Sequence, residues 1–586
     1  MTTDERVWLH AVLACTVVVI MAMSFRAPSA EAQTFPLPPN IDPSQRSAEP
    51  PPITKEKPLT PEPSPLTPYP LPPLPGERSE TAPGLHVMVK EIRLTGNTVF
   101  SAEELSTVTA PYLNKELTTE DLEGLRLRLT LYYVNRGYIT SGAILPDQQV
   151  KDGVIIYQII EGKVAKIDLD GHRWFRSSYL EDRIALGTGP PLNINSLQER
   201  LQMLQQDSRL EQLNAELRPG VTRGESEIHV KVREASPFKA WLEFNNYQTP
   251  VVGAERGLAT VTHQNLTGHG DPFTFTYGGS EGVNPLIYTS YSLPLNARDT
   301  TFTFEYRLNE FKVVESPFQP LDITSNVQIF TATLRHPVYR SLNQEFALAI
   351  TGEKLQNQIF LQGQPSNLIA GMQNGNANDT AIRFIQEYTY RTQASVLAAR
   401  SRFSVGINAL GATISSQQPG QPPPADGRFF SWLGQLQGVQ RFDQLRGWQL
   451  IGRFSAQFAN DHLFPLEQVP VGGRFSVRGY RENTLIRDNA ILASLESRIP
   501  VLRRANGEDI IQIAQFLDYG RAYNNKIGDP APSYLASVGL GLLWNILPRD
   551  RAHFEVFWGT QLNNVQQDGG NLQDHGIHLQ LVVQVL

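Results

Sequence analysis

Between Lys239 and Leu586 the chain repeatedly alternates one apolar residue with one polar residue. Phe273-Thr274-Phe275-Thr276-Tyr277 puts aromatics on one face and hydroxyls on the other. Phe302, Phe304, Tyr306 and Leu308 alternate with Thr303, Glu305 and Arg307, and Ile577, Leu579, Leu581, Val583 and Val585 mainly with His578, Gln580 and Gln584. A period of two is the signature of a β-strand with one greasy and one polar face. A soluble sandwich turns the greasy face inward, whereas a membrane barrel turns it outward around a polar lumen. The connectors decide between them. Short turns (Asn296-Ala297-Arg298-Asp299; Pro548-Arg549-Asp550) alternate with long loops at about 310–325, 356–380, 411–427 and 461–488, as in barrels with short periplasmic turns and long outer loops. About sixteen strands fit, and 348 residues give each strand and connector about 22, enough for spans of ~9–11 residues. The expected fold is an all-β transmembrane barrel of about 16 antiparallel strands over 236–586.

Composition fits this reading. Mean hydropathy is −0.27, and after the N-terminus no stretch approaches the ~18 apolar residues of a membrane helix. The formal net charge is −7, with no basic stripe to suggest nucleic acid as a partner. The apolar run from Val7 to Phe25, followed by Ala30-Glu31-Ala32, suits a signal peptide of residues 1–32 cleaved before Gln33. An uncleaved anchor and a lipoprotein box at Val12-Leu13-Ala14-Cys15 compete with it, although the apolar run continues past Cys15. Cleavage would remove Cys15, the single cysteine, and with it any disulfide or thiol chemistry.

Residues 34–84 carry 17 of the 42 prolines. The segment 33–84 is expected to be an extended linker, with a proline-motif docking role as the alternative. Two small α/β modules follow at 85–162 and 163–235. Each opens on a strand and turn, Val89 to Asn97 and Val164 to His172, and passes through helical sequence into closing strands. In the first, Thr118 is expected to cap a helix running to about Arg136, although Leu125, Leu127, Leu129 and Leu131 alternate like a strand. In the second, Ser196-Leu197-Gln198-Glu199 matches a capping box.

One constellation stands out within the barrel. Gly472-Gly473-Arg474-Phe475-Ser476-Val477-Arg478-Gly479-Tyr480 lies in the longest loop, and Phe516-Leu517-Asp518-Tyr519-Gly520 on a later strand. Gln512, Ala514, Phe516, Asp518 and Gly520 share one strand face, opposite Ile511, Ile513, Leu517 and Tyr519, so Asp518 is expected to face the lumen. A loop arginine and a wall aspartate suggest a loop folded inward and pinned by an ion pair. Gly479 and Gly520 would let the backbones approach, and the guanidinium fork can hold a carboxylate through two hydrogen bonds. If the pair is shielded, losing one partner costs about 3–5 kcal/mol; if it is wet, about 0–1 kcal/mol. A generic Gly-rich turn, or an arginine that only braces the barrel, is the plainer alternative.

The order and spacing of these features resemble the outer-membrane transporters of two-partner secretion, the hemolysin secretion/activation (TpsB-type) family of the POTRA-barrel superfamily. Also matching are Asn265-Leu266-Thr267-Gly268-His269-Gly270-Asp271 in an early turn and Tyr291-Ser292-Leu293-Pro294-Leu295 near the end of the fourth strand. The resemblance implies two polypeptide-transport-associated (POTRA) domains in the periplasm and an outer-membrane barrel. Its sixth loop, between strands eleven and twelve, would be locked to strand thirteen through Val477, Arg478, Gly479, Tyr480, Phe516, Asp518 and Gly520. It also implies a secreted exoprotein (TpsA type) as partner, outer-membrane lipid around the barrel, and no nucleotide, cofactor or metal. The barrel assembly machinery is a further expected partner. An unfolded substrate could add a strand to the POTRA sheet edges within 87–235. The C-terminal Val585-Leu586 departs from the aromatic end common in barrel proteins, and the proline-rich lead makes a plugging helix doubtful.

An enzyme is not expected. Glu120-Asp121 sits where a helix N-terminus favours acids. His575 and His578, read as strand residues three apart, would point to opposite faces and share no metal. An outer-membrane protein assembly factor of the same superfamily and a passive porin stand as alternative functions.

Overall fold

The computed structural model describes residues 66–67 and 86–586, except 418, 421–422, 549–550 and 566–569. The expected signal peptide and nearly all of the proline-rich segment thus lie outside the described residues. The chain forms two compact units, Glu62–Pro237 with Thr267–Gly270, and a larger one containing Phe238–Leu266 and Asp271–Leu586.

The larger unit is a closed antiparallel barrel of sixteen strands, beginning with Phe238–Asn245 and ending with Ile577–Gln584. These two strands pair over Trp241↔Gln584 to Asn245↔Gln580, which closes the ring. A two-residue strand, Gln364–Pro365, pairs only with Phe360–Leu361 and adds no stave to the wall. Alternation sets the two faces. On strand thirteen (Asp509–Tyr523) Ala514, Phe516 and Asp518 are buried inside, while Ile513, Leu517 and Tyr519 are exposed outside. Phe302, Phe304, Leu334, Phe384, Leu436 and Trp558 extend the outward apolar surface around the wall, as a lipid-facing barrel requires.

The long connectors run 313–322, 362–378, 407–429 and 460–488, and depart most from the expected bounds at the second. Strand seven runs Gln344–Leu361, so the second long loop begins at Gln362 rather than near 356. Strand six (Ile323–Arg340) pairs with it as far as Ile323↔Leu361, and this ladder carries the hairpin beyond the expected loop start. The last strand stops at Gln584. Val585 still donates its N–H to the Ala240 carbonyl at 2.8 Å, and the side chains of Val585 and Leu586 are both exposed.

In the smaller unit, the first module has a three-stranded sheet in which Glu91–Thr95 and Gly142–Ile144 flank Val154–Ile160. Its helices are Ala102–Thr109 and Thr119–Val134. Thr118 caps the second helix, with Asp121 completing a capping box. Leu122, Leu125, Leu129 and Tyr133 are its buried residues. The helical period therefore overrides the strand-like leucine alternation, because only that face meets the sheet.

The second module has strands Lys163–Asp170, Leu210–Pro219 and Glu225–Glu234 and helices Ser177–Ala185 and Ile194–Gln205. Leu66–Thr67 pairs in parallel with Ala215–Glu216 at one sheet edge. The expected cap at Ser196 is incorrect. Asn193 caps this helix, its side chain accepting from the Asn195 N–H at 3.0 Å, and Ser196 lies in the first turn. Starting at Asn193 lets the Leu197 N–H reach the Asn193 carbonyl, and Leu197, Leu201 and Leu204 then bury one face. The same residues join the modules. Asn193 Nδ2 donates to the Arg136 carbonyl at 3.2 Å, and the Ile194 N–H to that of Gly137 at 2.9 Å.

Candidate functional site

The loop between strands eleven (Trp448–Ala459) and twelve (Asn489–Arg503) folds back into the barrel. Its stalk is a short hairpin, Val469–Val471 paired with Leu485–Arg487. At the tip the Gly473 N–H donates to the Val477 carbonyl at 3.0 Å and Ser476 Oγ to that of Gly472 at 2.9 Å. This tight turn projects Arg478 toward strands twelve and thirteen.

Arg478 is 1% exposed and Asp518 1%. The Arg478 Nε donates to Asp518 Oδ2 at 2.7 Å, Nη2 to Oδ1 at 2.8 Å, and the backbone N–H to Oδ2 at 3.1 Å. Nη1 donates to Glu496 Oε2 at 2.5 Å, and Nη2 to Ser494 Oγ at 3.3 Å. The guanidinium carbon lies 3.7 Å from the centre of the Phe516 ring, a cation–π contact. Such burial puts the pair in the shielded regime, in which an orphaned charge is costly.

Each neighbour in the two motifs contributes a contact. Val477 packs with Val471, Leu485, Ala490, Ala522 and Leu535. The Tyr480 hydroxyl lies 2.9 Å from the Ala536 carbonyl oxygen and 2.8 Å from that of Asn563. Gly479 has φ +89°, and a Cβ there would come within 2.8 Å of the Gly559 backbone on strand fifteen (Ala552–Gln561). A Cβ on Gly520 would meet Val471 at 2.5 Å and Val477 at 2.9 Å. The structure thus brings all seven motif residues into one buried assembly. It also joins the two earlier motif segments, since the Tyr291 hydroxyl donates to Asp271 Oδ2 at 2.8 Å.

Several participants escape motif reading. Glu496 is fully buried and accepts from Arg478, from Arg498 Nε at 2.5 Å and from Arg453 Nη1 at 3.4 Å. Its signal was available, because Leu492, Ser494, Glu496 and Arg498 share the inner face of strand twelve beside Asp518. Arg474 donates to Glu555 through Nε at 3.1 Å and Nη2 at 3.0 Å, and Tyr247 donates to the same carboxylate at 2.7 Å. Arg481 pairs with Asp574 and, at 2.8 Å, with Glu315. These partners lie on distant strands and loops, and sequence spacing alone does not point to them.

His575 and His578 do not share a strand, contrary to expectation. His575 ends the short 3-10 turn Leu572–His575, whose Asn571 cap breaks the strand pattern, and His578 lies buried on strand sixteen. Among the described residues no group of three or more His, Cys, Asp or Glu side chains is arranged to hold a metal.

Comparison with known proteins places this architecture. Residues 224–543 match the haemolysin secretion/activation protein family ShlB/FhaC/HecB, and residues 87–162 the ShlB-type POTRA domain. The chain belongs to the ShlB/FhaC/HecB family. Relatives include the outer membrane transporter CdiB of Dickeya dadantii, 21% identical over 468 residues covering 78% of this chain and 79% of that one. The heme/hemopexin transporter protein HuxB of Haemophilus influenzae is 22% identical over 479 residues, covering 78% and 81%. The hemolysin transporter protein ShlB of Serratia marcescens is 25% identical over 418 residues, covering 68% and 69%. In fold the chain is similar to CdiB from Escherichia coli, with a TM-score of 0.64 at 19% identity, covering 93% of this chain and 96% of that one. The ShlB/FhaC/HecB family is one of outer-membrane transporters, so this barrel sits in the outer membrane and its POTRA domains in the periplasm.

Proposed function

We propose that this ShlB/FhaC/HecB-family transporter takes an unfolded TpsA-type exoprotein from the periplasm and passes it through the barrel lumen to the cell surface. The observation that carries this reading is the buried Arg478–Asp518 pair, which fastens a long loop inside the conduit. The pair acts as a releasable lock, with Glu496 a second acceptor for the same guanidinium. In the periplasm an unfolded segment adds as a strand to a POTRA sheet edge, where main-chain hydrogen bonds give affinity without demanding one sequence. Threading makes and breaks no covalent bond, so no catalytic residue or cofactor is assigned. Folding outside opposes return.

The domain plan that serves this is a cleaved signal peptide over 1–32, a linker over 33–84, POTRA domains at 85–162 and 163–235, and the barrel at 236–586. Outer-membrane lipid surrounds the barrel, and the barrel assembly machinery inserts it. Mass spectrometry of culture supernatant and outer membranes, with the protein present and absent, tests the function. Loss of one large exoprotein with normal outer membranes is the expected result. Depletion of many barrel proteins would instead identify an assembly factor, and no change in either fraction a passive porin.

A further inference from the structure

Upstream of its tip, the same loop makes a second set of buried contacts on a different part of the wall. Glu467, in the short turn Pro465–Glu467, accepts from Arg383 Nη2 at 2.7 Å. Arg383 lies on strand eight (Asp379–Arg391) and also donates to Glu353 Oε1 at 2.8 Å and to Ser404 Oγ at 2.8 Å. The Arg383 and Glu467 side chains are 3% and 2% exposed. Beside them Leu466 is buried among Val283, Phe311, Val327 and Leu355, on strands four to seven. Gln457 Nε2 donates to the Glu467 carbonyl at 2.9 Å and to that of Asp488 at 3.2 Å, tying together both ends of the loop. The tip contacts, by contrast, fall mainly on strands twelve to fifteen and the turn before strand sixteen, with Arg481 also reaching Glu315 between strands five and six.

We infer that Glu467 is a second positioning residue for the loop, and that its pairing with Arg383 holds the loop root on strand eight independently of the Arg478 lock at the tip. The inference rests on the reading of Arg478 as a lock and divides the loop into two separately fastened parts. The hairpin Val469–Val471/Leu485–Arg487 stands between them, and its own pairing does not depend on either ion pair. Release of Arg478 alone therefore loosens the tip, which Arg474–Glu555 and Arg481–Asp574 still hold, and leaves the root seated. Full clearance of the lumen requires both pairs to break.

Glu467→Ala is the informative change, because Arg383 keeps Glu353 and Ser404 and is not left orphaned. Hydrogen exchange of the full-length protein in nanodiscs, read by mass spectrometry, resolves the root (463–468) from the tip (474–484). Heat-modifiable gel migration shows that each variant barrel is folded. In Glu467→Ala the root should exchange about tenfold faster, ~1.4 kcal/mol in its opening equilibrium, with the tip unchanged. Glu467→Gln, which keeps an acceptor oxygen, should restore part of the protection. Arg478→Ala should show the reverse pattern. The double variant should combine both and give a larger single-channel conductance than either single change. Unchanged root exchange in Glu467→Ala, or equal loosening of root and tip, would overturn the proposal. Continued tip protection in Arg478→Ala would instead overturn the tip lock while leaving the root result standing.

Discussion

Arg478 shows how much one side chain can do when its geometry is fixed on every side. Its fork meets two carboxylates, its backbone N–H shares Asp518 Oδ2 with Nε, and its flat face meets an aromatic ring. Removing Asp518 leaves a buried cation with only Glu496 and Ser494. Asp518→Asn should therefore weaken the hold on the loop by about 1.5–3 kcal/mol, the scale of lost charge-assisted hydrogen bonds with Glu496 still in place, measurable as faster cleavage at the loop by protease added to intact cells. Gly479→Ala attacks the same joint without touching charge. Its positive φ and the Gly559 backbone at 2.8 Å leave no room for a methyl, so a loss of about 1–3 kcal/mol should appear in the same assay. Asp518 was legible from strand parity and the glycines from their setting. Glu496 was legible in principle, from parity on the adjacent strand, but no sequence rule says which of several inward acids an arginine will choose.

At the level of the element, the first POTRA module depends on an acid at the end of its central strand. Glu161 accepts from the Thr98 N–H at 2.7 Å, the Val99 N–H at 3.0 Å and the Tyr133 hydroxyl at 3.0 Å. Burial raises its pKa, yet these hydrogen bonds and that from the Thr98 hydroxyl outweigh it and hold the carboxyl below the ordinary value of 4.5. A depressed pKa stabilises the fold above the unfolded value and loses that contribution as pH falls through the folded value. Glu161→Ala should cost about 2 kcal/mol near neutral pH. The difference from wild type should shrink as the pH is lowered below about 4.5. Hydrogen exchange across 98–134 at several pH values measures both. Asn193→Ala should cost about 1 kcal/mol as a lost cap and also loosen the joint to Arg136, seen as faster exchange of the Leu197 amide. Here the sequence was partly misleading. Asn193 and Ser196 are both capping residues, and Glu199 makes Ser196 the better match on pattern. The deciding factor is packing, because the earlier start docks the helix N-terminus on the first module.

For the whole molecule, alternation and connector length were sufficient to predict a barrel and its strand count. These are consequences of a lipid exterior and a polar interior, which act on every strand alike. The course of the loop inside the lumen was less accessible. Arg474, Arg481 and Glu467 take partners on Glu555, Asp574 and Arg383, pairings that exist only once the ring has closed. The molecule therefore combines a wall specified by local pattern with a bar specified by long-range charge.

Secretion itself measures whether that bar governs transport. The exoprotein released per folded barrel should be quantified for wild type, Arg478→Ala, Asp518→Ala and the double variant. Because the two residues act as one unit, the expected result is that the double variant loses no more secretion than the worse single change. Losses that multiply, or secretion that is unaffected by either substitution, would contradict a lock between loop and wall.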